Sequence, residues 1–152
     1  LYDQTPYLKQ LKILVDSRVK ASFNLRLINA NENGEPTNDI LNKNLIIKTS
    51  SGKRSINVDL SEYNIQFPKK GFFVALEWLT IESNKSEFIY TDPYTKKKIS
   101  EIRYEPSFGT TNRNSGFFNW VYSNGNWRKT QIAPPQMIEK GGDLAIELTI
   151  SN

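Results

Sequence analysis

The stretch GFFVALEWLTIE, residues 71–82, decides our fold prediction. Alternate residues of a β-strand face opposite sides of the sheet, and here both sets are largely apolar. An apolar run of this length also fits a buried helix, but the turn signal from Pro68 to Gly71 directly before it favours a strand. We therefore predict a central strand that is covered on both sides and places Trp78 in the core with Phe72, Val74 and Leu76.

The composition limits the classes of function. Cysteine and histidine are both absent, which excludes a disulfide framework, a cysteine nucleophile and the commonest metal ligand and general base. The net charge of +4 comes from 20 basic and 16 acidic residues that are interspersed. The basic run 96–98 fits a solvated loop better than a nucleic-acid site, so we expect no nucleic-acid partner. No apolar run approaches the roughly 20 residues of a membrane span.

Period-two alternation predicts further strands. The clearest covers Phe23 to Ile28, whereas residues 8–15 fit either a short helix or, because of Ile13 to Val15, a strand. Residues 50–53 are typical of a hairpin turn, and Ser123-Asn124-Gly125 carries the strongest short hairpin signal. Residues 29–44 and 105–116 are polar and irregular, which indicates long loops.

About nine short strands and no long amphipathic helix indicate an all-β fold. We predict an antiparallel two-sheet β-sandwich, jelly-roll-like, with little helix: at least about 35% strand and at most about 10% helix. Residues 1–152 are expected to form a single domain. The first residues, LYDQ, do not resemble a signal peptide, and we expect the chain to be one module of a longer precursor.

Five segments also carry a family resemblance: FNLRLI at 23–28, NGEP at 33–36, NLII at 44–47, VDLSEYNI at 58–65 and GFFVALEW at 71–78. Together they resemble the C-terminal β-sandwich region of carboxypeptidase-regulatory-like-domain envelope proteins of Gram-negative bacteria. The resemblance covers residues 8–82 and, more loosely, the remainder. It implies a place in the cell envelope, that is, the periplasm, the outer membrane or the extracellular side, and it implies no peptidase activity.

Two kinds of chemistry have weak support in the sequence. Glu77 lies among apolar residues, where burial would raise its pKa and make it a candidate acid, but a partnered core glutamate is the simpler interpretation. A hydrolase would also need a second carboxylate across a cleft, such as Asp59, Glu82 or Glu87. The 31–34 turn and Asp39 carry calcium-type oxygen ligands, yet such residues usually form turns. We expect no metal and no cofactor.

Aromatic residues make a better case for ligand binding. Phe118, Trp120 and Tyr122 share one strand face, as a core stripe or as a binding platform, with the core stripe favoured. Rings give flat apolar area, and neighbouring amides pair with hydroxyl groups, which together suit a sugar. We place any ligand site in the second half of the chain and not at the first turn region. The predicted ligand-binding residues are Tyr94, Tyr104, Trp127, Asn112, Asn124 and Asn126.

We accordingly predict a non-catalytic envelope or secreted binding module whose partner is a glycan or a neighbouring envelope protein. A structural or assembly module of the adhesin type is the first alternative, and exposed ring area separates the two. A carboxylate-dependent hydrolase is the second alternative.

Overall fold

Most of the residues that the structure describes lie in β-strands. A computed structural model describes residues 6–111, 118–131 and 143–151. Strand accounts for 63% of these residues and helix for 5%, and the strand pairs are antiparallel, which confirms the all-β prediction. Among the described residues, helix occurs as two 3-10 turns, Ser61–Tyr63 and Glu82–Asn84. The strands are β1 (Tyr7–Ser17), β2 (Ala21–Ala30), β3 (Pro36–Asp39), β4 (Leu45–Thr49), β5 (Gly52–Asp59), β6 (Phe72–Trp78), β7 (Lys85–Thr91), β8 (Lys98–Tyr104), β9 (Ser107–Phe108), β10 (Phe118–Ser123), β11 (Asn126–Gln131) and β12 (Ile146–Ser151).

Two four-stranded sheets, which we name sheet I and sheet II, form the body of the fold. In sheet I, β1 lies between β5 on one side and both β12 and β9 on the other. In sheet II, β2 lies between β6 on one side and both β3 and β4 on the other. Each sheet is therefore organised around one strand from the first 30 residues.

Both sheets contribute to one hydrophobic cluster. Sheet I supplies alternate residues of β1, among them Leu11, Ile13 and Val15, and sheet II supplies Phe23 and Leu25 of β2, all of them buried. Partly buried residues of β5, β6 and β12 pack against this cluster. Burial of such side chains contributes about 1.5–3 kcal/mol each. The alternation of Phe23, Leu25 and Leu27 in the sequence thus predicted the inward face of β2, while closure of the sheets into a sandwich stays a prediction.

The prediction that residues 71–82 form the central strand is wrong. Within the described part of the chain, β6 ends at Trp78 and pairs with β2 alone. Trp78 is 54% exposed, and the placement of its side chain in the core is also wrong. Its indole N–H donates to the carbonyl oxygen of Pro106 at 2.7 Å, and its ring lies 5.2 Å from that of Phe108. The other apolar face of β6 lies against the hairpin of β10 and β11, because the ring of Phe73 packs near that of Trp120.

Two further predictions need correction. β4 and β5 do not form the expected hairpin, because β4 pairs with β2 in sheet II and β5 pairs with β1 in sheet I. The first part of the predicted loop 105–116 is not an exposed loop: Pro106 is buried, and Ser107–Phe108 forms β9 on β1. Phe108 packs edge to face on Phe23 at 5.2 Å, which anchors this segment in the core. The rest of the predicted loop, residues 112–116, lies outside the described residues.

Two hairpins extend from the body. β10 and β11 pair from Phe118 with Gln131 to Ser123 with Asn126, which confirms the hairpin predicted from Asn-Gly. Asn124 and Gly125 have φ values of 51° and 79°, the left-handed conformation that a tight two-residue turn requires. β7 and β8 form the second hairpin, whose turn carries most of the lysine run, with Lys96 at a φ of 58°.

Candidate functional site

An aromatic pair marks the end of the β10–β11 hairpin. Tyr122 and Trp127 are directly opposite each other across the strands, and their ring centroids are 5.1 Å apart. Tyr122 is 50% exposed, and Trp127 is partly buried. The adjacent turn exposes Asn124 and Asn126, with the Asn126 amide donating to the Asn124 carbonyl oxygen at 3.2 Å. We call these four residues the hairpin site.

The aromatic face of the hairpin lies against the outer face of sheet II. The Trp120 ring is 6.3 Å from that of Phe73, and the Arg26 guanidinium carbon is 5.7 Å from the centre of the Tyr122 ring. A cation at this distance from an aromatic face is attracted by the ring's electrons. Trp120 is partly buried and Tyr122 is exposed, so this strand face becomes more open from Trp120 towards Tyr122.

A polar network supports the hairpin site from below. The Arg26 guanidinium donates from Nε and Nη2 to the two carboxylate oxygens of Asp39, at 2.9 and 2.7 Å. Donation of these hydrogen bonds to Asp39 raises the pKa of Arg26 above its ordinary value. A paired, two-point contact of this kind fixes the plane of the guanidinium. Arg26 is therefore held in one orientation beside the open ring of Tyr122.

Glu77 belongs to the same face of sheet II. Asn24 is buried, and its amide donates to Glu77 at 2.8 Å and to the side-chain oxygen of Asn44 at 3.3 Å, while its oxygen accepts the Leu45 N–H. Glu77 itself is exposed, so the prediction that it is buried, on which its role as an acid depended, is wrong. Within the described residues, Glu77 has the position of a surface partner of Asn24.

The remaining predicted ligand residues lie elsewhere. Tyr94 is 92% exposed in the turn of the β7–β8 hairpin, whereas Tyr104 is partly buried at the base, opposite Lys85. Strands rise about 3.3 Å per residue, which separates these two tyrosines by about 20 Å. Asn112 lies outside the described residues. The structure thus brings together Trp127, Asn124 and Asn126, adds Tyr122, and leaves Tyr94 and Tyr104 at the two ends of another hairpin.

The oxygen-rich first turn makes internal contacts. The side-chain oxygen of Asn31 accepts the backbone N–H groups of Asn33 and Glu35, each at 2.9 Å, and Asp39 is paired with Arg26. These oxygens shape the turn and the network below the hairpin site. No group of three or more acidic side chains that could hold a metal ion lies among the described residues.

A groove that the sequence did not reveal lies beside this turn. Its volume is about 460 Å³, within the range of small-molecule sites. Rings, amides and apolar side chains from two separate loops line it, which is why no local motif predicts it. The lining residues are Asn29, Ile40, Leu41, Tyr63, Asn64, Ile65, Gln66, Phe67, Pro68 and Lys69. We call it the loop groove.

Comparisons with known proteins give no assignment. No protein-family model matches the sequence, and neither the curated proteins nor the solved structures compared with it give a match. In the part of the chain that the structure describes, no helix has the length and apolar character needed to cross a membrane.

Proposed function

We propose that this protein is a non-catalytic binding module of the cell envelope or of a secreted protein, and that it binds carbohydrate at the hairpin site. The envelope location rests on the family resemblance of residues 8–82. The binding activity rests on the chemistry of the hairpin. The hydrolase alternative loses the burial on which it depended, because Glu77 is exposed and accepts a hydrogen bond from Asn24.

The observation that carries this proposal is the open ring pair with its flanking amides. Half of the Tyr122 side chain is exposed although it lies 5.1 Å from Trp127 and beside Arg26. A sugar ring has an apolar face that packs on such rings and hydroxyl groups that pair with amide and guanidinium groups. Asn124, Asn126 and Arg26 supply these groups around the aromatic pair.

A glycan array followed by calorimetry on any hit tests the proposal. We expect Trp127→Ala and Tyr122→Ala each to weaken binding by about tenfold, which corresponds to about 1.4 kcal/mol. Tyr94→Ala is the matched control, because Tyr94 is exposed on the other hairpin. Thermal melting of each variant separates a lost contact from a lost hairpin. Unchanged affinity in both hairpin variants would remove this surface from consideration.

A second candidate function, an assembly module, has its own support in the β7–β8 hairpin. Ile89 and Ile102 are 58% and 60% exposed on the same face of that hairpin. Neighbouring exposed apolar side chains are typical of protein contacts. Sedimentation of the protein and of an Ile89→Ser, Ile102→Ser variant tests this role. A concentration-dependent dimer that the double variant abolishes would favour assembly, and a monomer at all concentrations would count against self-association.

A further inference from the structure

The loop groove has the features of a second binding site. Its apolar lining includes Ile65 of the hydrophobic core and Ile40 and Leu41, which pack against that core. Tyr63 and Phe67 also line it, and Phe67 is 37% exposed. Concave sites of this size with an apolar floor and a few polar groups are the usual form of ligand sites.

Backbone hydrogen bonds hold the groove in shape. The Leu8 N–H donates to the Ile65 carbonyl oxygen and the Phe67 N–H donates to that of Pro6, both at 2.8 Å. On the other loop, the Ile40 N–H donates to the carbonyl oxygen of Leu27 in β2 at 2.7 Å. Backbone hydrogen bonds thus tie each of the two loops to the body of the fold. A ligand would therefore meet a largely preformed site, and little binding free energy would be needed to order that site.

The polar groups around the loop groove favour a hydroxyl-rich anion. Asn29, Asn64 and Gln66 contribute amides, and Lys69 contributes an ammonium group, whereas no carboxylate is among the described residues that line the groove. A second lysine, Lys43, lies with its Nζ 4.2 Å from the centre of the Tyr63 ring.

Two carboxylates act on Tyr63 at the border of the groove. A hydrogen bond with Glu62 and the nearby charge of Asp59 raise the pKa of the Tyr63 hydroxyl above its ordinary value. Lys43 and Lys69 offset these two charges, and Lys69 carries the one formal charge among the described lining residues.

We propose that the loop groove binds an acidic sugar, a hexuronate residue of a polysaccharide. The apolar face of the pyranose ring would pack on Tyr63 and Phe67, its hydroxyls would pair with the three amides, and its carboxylate would face Lys69. This site is separate from the hairpin site, and the inference does not depend on sugar binding there. An acidic peptide offers the same charge, and its backbone also pairs with amides, but a chain of acidic residues lacks the apolar ring face that packs on Tyr63 and Phe67, which is why the sugar is the better fit.

Trigalacturonate and its methyl ester are the probes, because they differ in charge and share the ring and hydroxyls. We expect trigalacturonate to bind, with backbone amide NMR shifts centred on residues 63–69, and the ester to bind at least fivefold more weakly. Lys69→Gln should weaken trigalacturonate binding about three- to fivefold and leave ester binding unchanged, in keeping with an exposed ion pair. Lys98→Gln is the matched control, because Lys98 is an exposed lysine on β8.

Each result of these binding experiments either supports or contradicts the assignment of an acidic sugar to the loop groove. Equal binding of acid and ester, shifts confined to other residues, or no binding at millimolar concentration would overturn the inference. Equal or tighter binding of a triglutamate peptide at the same residues would overturn the sugar assignment. A loss of trigalacturonate binding in Trp127→Ala with no effect of Lys69→Gln would move the ligand to the hairpin site, whereas the reverse pattern would support the loop groove even if the hairpin binds nothing.

Discussion

Replacing Asn84 tests the junction between sheet II and the β7–β8 hairpin. Asn84 is fully buried, its side-chain oxygen accepts the Ser22 N–H at 2.9 Å, and its amide donates to the carbonyl oxygens of Ser22 and Leu79 at 2.7 and 2.9 Å. The side chain thus bonds to both backbone groups of Ser22, as a neighbouring strand would. It continues the edge of β2 beyond the last β6 pair, between Phe23 and Trp78.

The expected cost follows from these three bonds. A hydrogen bond contributes about 1 kcal/mol net, so Asn84→Ala should lower the free energy of unfolding by about 3 kcal/mol. For a chain of this length that corresponds to a fall of about 6–12 °C in melting temperature. Asn84→Asp keeps the size of the side chain but removes both donor bonds and turns a carboxylate towards two carbonyl oxygens. We expect it to destabilise the protein at least as much as alanine does at pH 7.

Urea unfolding followed by tryptophan fluorescence measures both variants, with Asn57→Ala on the exposed face of β5 as the control. That control should stay within about 0.5 kcal/mol of the original protein. If Asn84 acted by packing alone, aspartate would be tolerated and alanine would be the more damaging change. That order, or a loss below about 1 kcal/mol in both variants, would refute the reasoning.

Three further outcomes are expected. Gly109→Ala should cost about 1–3 kcal/mol in urea unfolding, because its new Cβ would lie 2.6 Å from Cδ2 and 3.0 Å from Cβ of Leu14; unchanged stability would show that Leu14 moves freely. Trp78→Ala should lower the free energy of unfolding by about 2 kcal/mol, less than the roughly 3–5 kcal/mol expected for a buried ring, because half of Trp78 is exposed. A larger loss of stability would indicate that Trp78 is a core residue after all. Backbone hydrogen bonds, chiefly from Thr95, lower the pKa of Asp92 below 3.8. The ionised Asp92 therefore supports the turn fully above that pH, and this support is lost as the pH falls through the pKa of the folded state. An NMR titration midpoint above 3.8 for Asp92 would contradict this.

Local patterns predicted the elements that depend on local chemistry. The alternation of Phe23 to Ile28 and the residues of the Asn-Gly turn fix β2 and the β10–β11 hairpin within a few neighbouring positions. Both signals come from side chains that alternate across a strand or tolerate a positive φ. β1 was less certain, because residues 8–15 also fit a helix, and its pairing with three partner strands settles it as a strand.

The predictions that were wrong concern strand pairing, which contacts between distant parts of the chain determine. Nothing within residues 71–82 indicates that one apolar face would meet the hairpin ring of Trp120 and that the strand would lie beside β2 alone in the described chain. The turn at residues 50–53 has hairpin residues, yet it passes from one sheet to the other. Which strand a segment joins depends on long-range packing that a local pattern does not contain.

The candidate sites show the same division. Trp127, Asn124 and Asn126, three of the six predicted ligand residues, lie together because they share one local turn. The Arg26–Asp39 pair below them joins β2 to β3, and the loop groove combines residues 29–41 with residues 63–69, so neither has a sequence signature. Surface exposure also decides what an aromatic residue can do, and it depends on the whole fold.

The pairing of β1 with β12 has a consequence for biosynthesis. The salt bridge between Lys12 and Glu147 joins residues 135 positions apart, and the register from Tyr7 to Ile13 is formed with Ile146 to Ser151. While the chain is being made, β1 therefore emerges long before its partner and keeps one edge unpaired. Contacts of such separation slow folding, and an unpaired edge invites association with other chains. This edge of β1 therefore stays open to other chains until β12 has been made.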